Sequence, residues 1–173
     1  GDVAVVHASL GSTDATLACL SPRPPAAAVG GKAVAAAQLA VAPNAQQYSA
    51  ATSFAYHPPP VVSAATPTSG PASGGTVVML RGSSLAPVGG ACDVVCRFGS
   101  LLVPGSVSQG EGSIACVSPA WRGGEPGDGL PLALPLAVSL NRQQFGPGEA
   151  TFRYTADFNA SLALPSSGPV DGG

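Results

Sequence analysis

Ala15-Thr16-Leu17-Ala18-Cys19-Leu20-Ser21-Pro22 returns later in the chain as Gly112-Ser113-Ile114-Ala115-Cys116-Val117-Ser118-Pro119. Cys116 follows Cys19 by 97 positions. Further out, Asn44-Ala45-Gln46-Gln47-Tyr48 matches Asn141-Arg142-Gln143-Gln144-Phe145 at the same offset. Phe54-Ala55-Tyr56 matches Phe152-Arg153-Tyr154 at an offset of 98. Pro67-Thr68-Ser69-Gly70-Pro71, with Gly74-Gly75 behind it, matches Pro165-Ser166-Ser167-Gly168-Pro169, with Gly172-Gly173 behind it, again at 98. The landmarks hold register with a single slip, so chance is a poor explanation. Such a period is too long for a solenoid repeat and suits a whole domain of roughly 100 residues. The expected division is residues 1–57 as the second half of one domain, 58–155 as a complete domain, and 156–173 as the first strand and turn of a third.

Within the complete domain the pattern predicts short strands between turn signals. Val61 to Ala65 is a first strand, ended by Pro67. Ser69-Gly70-Pro71 and Gly74-Gly75 form a turn cluster. Thr76-Val77-Val78-Met79-Leu80-Arg81 is β-branched and apolar, and Gly82 is expected to stop it. Cys92 to Phe98 follows, with Gly99 as a turn. Leu101 to Val103 is short, and Ser113 to Val117 ends at Ser118-Pro119. Leu130 to Leu140 is long, with Pro131 and Pro135 confining parts of it to an edge or a bulge. Thr151 to Tyr154 closes the domain and places Phe152 and Tyr154 on one face. Ala33 to Ala42 has helical propensity, but its counterpart Leu130 to Ser139 carries two prolines that forbid a regular helix. Both are expected to be strands, and the fold class is all-β, with sandwich domains of the size of immunoglobulin-type modules.

Charged residues are only 9% of the chain, the net charge is −2, and the seven Lys+Arg are scattered. No basic stripe is present to neutralise phosphates, which argues against nucleic acid as a partner. A surface so poor in charge draws its solubility from glycans or is covered in an assembly. Gly (23) and Pro (18) are abundant, but 45% hydrophobic content favours folded β structure with many turns over disorder. No apolar run is long enough to span a membrane as a helix.

The residues Pro67-x-x-Gly70-Pro71-x-x-Gly74-Gly75-Thr76-x-Val78-x-Leu80-x-Gly82, Cys96-Arg97-Phe98-Gly99, Ile114-x-Cys116-x-Ser118-Pro119, Val138-Ser139-Leu140-Asn141 and Phe152-x-Tyr154 resemble the IPT/TIG family. These are the immunoglobulin-like domains shared by plexins and Rel-type transcription factors. The resemblance covers residues 61–155 fully and 1–57 over the second half of the pattern. It implies a β-sandwich used for adhesion, spacing or protein contact rather than catalysis. The tandem arrangement is similar in style to that of large extracellular and ciliary-surface proteins of unicellular algae, including mastigoneme-type filament proteins. The Ala/Gly/Pro bias agrees with a GC-rich genome of that kind.

Cys96 and Cys116 fall on consecutive core strands, and a disulfide between them is expected. The alternative is a pair of buried thiols in a cytosolic protein. Cys19 is the repeat mate of Cys116, and the mate of Cys96 falls just ahead of Gly1, so Cys19 is expected to pair with a cysteine preceding this segment. Cys92 is left over, either as a buried thiol or as a bond to another subunit. Asn159-Ala160-Ser161 is a glycosylation sequon. The prolines of Ser21-Pro22-Arg23-Pro24-Pro25 and His57-Pro58-Pro59-Pro60 are either carriers of hydroxyproline-linked sugars or stiff extended linkers.

Residues for catalysis are harder to find. His7 and His57 lie far apart and near no cysteine pair with zinc spacing. Asp14, Asp93, Glu111, Glu125, Asp128 and Glu149 are scattered, and the Glu125–Asp128 loop lacks the further oxygens that calcium needs. No nucleophile elbow, phosphate loop or dinucleotide fingerprint is present, and no cofactor is expected. Trp121-Arg122 is the one pair suggestive of a ligand, because an exposed indole beside a guanidinium stacks on sugars; the commoner role is to cover the open end of a sandwich. The leading expectation is a non-catalytic spacer and self-association segment of an extracellular filament or surface coat, its partners being other copies or subunits of the assembly and covalent glycans. The rival is an adhesion or carbohydrate-binding receptor module. A non-catalytic module of a larger enzyme and a cytosolic axonemal component are the remaining alternatives.

Overall fold

A computed structural model describes residues 4–10, 16–24, 35–86, 93–108, 112–123, 132–157, 161–162 and 164–170. The described residues contain strands and turns and no helix. They form two compact units, one within residues 4–59 and one within residues 60–170.

The larger unit has eight strands: β5 (Val61–Thr66), β6 (Ser69–Pro71), β7 (Val77–Ser83), β8 (Val95–Phe98), β9 (Leu101–Ser108), β10 (Ser113–Val117), β11 (Leu132–Ser139) and β12 (Thr151–Thr155). Their order is β5-β7-β10-β9-β8-β11-β12-β6. This is one sheet folded into two layers, and β9 makes the fold. Its first half pairs with β8, from Leu101↔Phe98 to Pro104↔Val95; its second half pairs with β10, from Gly105↔Cys116 to Ser108↔Ser113. The change of partner falls at Pro104-Gly105. Proline has no ladder donor to lose there. A Cβ at Gly105 would stand 2.7 Å from Cys96 Sγ, so only glycine fits that crossing. Between the layers lie Val62, Leu80, Phe98, Ile114, Leu136 and Phe152, all fully buried or nearly so. Phe152 meets Phe98 edge-on at 5.4 Å and Tyr154 at 5.1 Å, the packing that ring quadrupoles favour.

Three expectations need correction. Ser69–Pro71 is not merely turn: it is a short strand, β6, running parallel to β12 with Arg153↔Ser69 and Thr155↔Pro71 in register. Gly82 does not end β7, which continues to Ser83; a Cβ at Gly82 would run into the Val61 carbonyl, so the glycine lets β5 lie close. The strand expected to be short, Leu101 to Val103, runs on through Pro104-Gly105 to Ser108. Pro135 behaves as expected, since β11 has β12 alone beside its first half and acquires β8 only from Leu136 onward.

Residues 62 and 148 pair in parallel, as do residues 71 and 155. The chain therefore enters this unit at one end of the sandwich and leaves at the other. Beyond it, Asp157 accepts hydrogen bonds from the Ser73 backbone N–H and hydroxyl at 3.2 Å each. Described residues 161–162 and 164–170 are exposed and form no strand.

The smaller unit holds β1 (Ala8–Leu10) paired with β2 (Leu17–Cys19), and β3 (Ala35–Leu39) paired with β4 (Thr52–Tyr56). The Ala-rich segment is thus a strand, as its proline-bearing counterpart implied. Its registers reproduce those of the larger unit. Ala8↔Cys19 repeats Gly105↔Cys116, and Ala35↔Tyr56 repeats Leu132↔Tyr154. Asn44 Oδ1 accepts from the N–H groups of Gln46 and Gln47, as Asn141 Oδ1 does from those of Gln143 and Gln144. The Phe54–Tyr56 edge-on pair at 5.0 Å repeats Phe152–Tyr154.

Candidate functional site

The covalent centre of the larger unit is Cys96 on β8 joined to Cys116 on β10, Cα atoms 6.3 Å apart. Both are buried, and they belong to opposite layers, so the bond ties the sandwich through its middle. The periodic placement of cysteine had signalled this pair.

Tyr154, opposite Leu132 on β11, is the second buried feature. Its ring is buried and its hydroxyl donates to the Pro119 carbonyl at 2.8 Å. Burial pushes the phenol up from its usual value to about 12. Tyr56 donates in the same way to the Pro22 carbonyl at 2.9 Å. Sequence reasoning missed both bonds, although the recurrence of Ser-Pro and Phe-x-Tyr in each repeat carried the signal. It also missed Arg97, whose guanidinium lies 4.6 Å from the Phe145 ring centre, a cation–π contact across 48 positions of chain.

Trp121 lies over Tyr154, ring centres 6.1 Å apart and planes tilted by 33°. It is half-buried, and its backbone N–H donates to the Ala72 carbonyl at 2.8 Å. The indole covers one end of the sandwich, while Arg122 is exposed beside it. Cys19 is an exposed thiol. Cys92 and Asn159 lie outside the described residues, as do Asp14, Glu111, Glu125 and Asp128. His7, Asp93 and Glu149 are exposed and separate, and His57 Nδ1 sits 2.9 Å from the Pro58 carbonyl. Among the described residues no three His, Cys, Asp or Glu side chains gather as a metal site would require. A shallow cleft between β5 and β12 is lined by Ser63, Thr68, Ser69, Thr151 and Arg153, which offers one cation and hydroxyl groups.

A family profile, that of the IPT/TIG domain, matches residues 60–154, the span of this layered unit. The chain belongs to the IPT/TIG domain family. No curated protein matches it. The IPT/TIG domain is a non-enzymatic, immunoglobulin-like module of surface and protein interactions, and both the module and its disulfide are compatible with an extracellular location.

Proposed function

We propose that the chain is a structural segment of a large extracellular or cell-surface glycoprotein, in which tandem IPT/TIG domains act as spacers and self-association units of a filament or surface coat, a ciliary coat included. The observation that carries the reading is the path of the chain through the domain at residues 60–154: it enters beside Gly148 and leaves beside Pro71, at opposite ends. Domains linked in this way extend a rod with each repeat instead of folding back.

Three further features support the reading. The disulfide fixes each layer to the other in an oxidising compartment. With charged residues at 9% of the sequence, neighbouring copies pack side by side without strong repulsion. The terminal strands β5 and β6 offer ladder groups to added strands from other copies. Glycans at Asn159 and on the proline runs would supply solubility where copies do not touch.

The test is localisation in the source cell. An antibody raised against residues 60–154 should label intact, unpermeabilised cells, and the Asn159 peptide should carry a glycan mass. Labelling only after permeabilisation, with Asn159 unmodified and Cys96 recovered as a thiol, would overturn the reading.

A further inference from the structure

The unit at residues 4–56 presents apolar side chains that its counterpart buries. Leu17 is 44% exposed, where Ile114 at the matching position is 0% exposed. Leu39 is 37% exposed against 1% for Leu136, and Phe54 is 40% exposed against 0% for Phe152. Local structure does not explain the difference, because strand registers, the Asn-centred turn and the Tyr–Pro bond are the same in both units. What differs is the cover. In the complete domain Ile114 lies opposite Leu80, Leu136 lies opposite Phe98, and Phe152 packs on the Phe98 ring. Those partners come from β7 and β8, and among the described residues of the smaller unit no strand stands in their place.

We propose that residues 4–56 are the C-terminal half of a second IPT/TIG domain, whose apolar face docks an N-terminal half-module with the pattern of residues 60–98, supplied by the same polypeptide ahead of this segment. The larger unit is the template for the occupant. It must carry an apolar alternation like that of Val78 and Leu80 to cover Leu17. It must also carry a Cys-x-Phe like Cys96-Arg97-Phe98. The phenylalanine fills the space over Leu39 and Phe54, and the cysteine reaches Cys19, now an exposed thiol where Cys116 is bonded. Closure then ends in a disulfide. The two thiols lose two protons and two electrons, and oxidised glutathione accepts them and leaves as two molecules of its thiol. The template transfers imperfectly at β1. Ala8 stands where the complete domain has Gly105, and a Cβ there would press on the cysteine sulfur. The docked layer therefore sits a little further from β1 than β8 does from β9. The inference rests on the repeated registers and is independent of the spacer reading.

The test uses the full chain with a copy of residues 60–98 joined ahead of Asp2, compared with the chain as it stands. In a glutathione redox buffer the extended protein should yield a peptide linking Cys19 to the added cysteine. Native-state alkylation of Cys19 and amide exchange at residues 17–19, 36–39 and 52–56 should each slow by about 100-fold. With Cys19→Ser the amide protection should persist, since apolar contact drives closure. Phe54→Ser should leave the unextended chain unchanged and abolish protection in the extended one. Equal alkylation and exchange in both proteins would overturn the proposal, with Trp121 fluorescence confirming that the domain at 60–154 is folded in each. So would protection of Cys19 that rises with concentration in the unextended chain, because a second copy would then be the occupant.

Discussion

Reduction of the Cys96–Cys116 bond should lower the melting temperature of the domain at residues 60–154 by roughly 15 °C. The two cysteines are separated by 20 positions. In the chain-entropy account, releasing a loop of that length returns freedom to the unfolded chain equivalent to about 3 kcal/mol at room temperature. A domain of this size unfolds with an entropy of about 0.2 kcal/mol/K, taking roughly 2 cal/mol/K per residue, so the loss converts to the stated shift. Reduction is a cleaner perturbation than mutation here, because both sulfurs are buried and replacing them would also leave space between the layers. The assay is thermal unfolding followed by tryptophan fluorescence, with reduction verified by alkylation and mass. The chain has a single Trp, and Trp121 sits on Tyr154, so the signal reports this domain alone. A verified reduction that moved the transition by less than about 4 °C would refute the reasoning. The loop between the cysteines would then be already restricted in the unfolded chain, and the bond would not be a principal tie between layers.

Two other outcomes follow from single side chains. Tyr154 titrates at about 12 against an ordinary 10.0, because burial disfavours the phenolate. The folded state thus holds its proton more tightly than the unfolded state, and the associated stability is whole below pH 10 and lost as pH rises towards 12. Tyrosinate absorbance should show one of the three tyrosines ionising late, and Tyr154→Phe should remove that late step while costing about 1 kcal/mol at neutral pH through the bond to Pro119. Asn141→Ala deprives two backbone N–H groups of their acceptor and should cost about 1–2 kcal/mol in the Trp121-reported transition; Asn44→Ala should leave that transition where it is.

Much of the sandwich was legible because its strands are locally marked. Val77 to Leu80 and Ile114 to Val117 alternate buried and less buried positions between firm turn residues. The illegible parts are those whose state is set by distant chain. Ser69-Gly70-Pro71 has the composition of a turn and becomes a strand because β12, more than 80 positions away, lies beside it. Gly82 looks like a stop, yet in place it lets β5 approach, as Gly105 leaves room where the strands cross. The same division holds at the site. The cysteine pair was signalled by Cys116, which recurs with the repeat as Cys19, and the covering role of Trp121 was one of the two roles its type allowed. Arg97 over Phe145 left no local trace, because neither residue signals its partner.

The parallel pairing of β6 with β12 has a mechanical consequence. A pull on the chain at residues 60 and 155 acts along these strands and in opposite senses on the two of them. The bonds from Arg153 N–H to the Thr68 carbonyl, from Ala72 N–H to the Thr155 carbonyl and from Thr155 Oγ1 to the Gly70 carbonyl lie across that direction. Tension loads them together in shear instead of unzipping them in turn. Should that clasp yield, the disulfide still limits how far the remainder extends, because the chain from Cys96 to Cys116, a separation of 20 positions, is closed in a covalent loop.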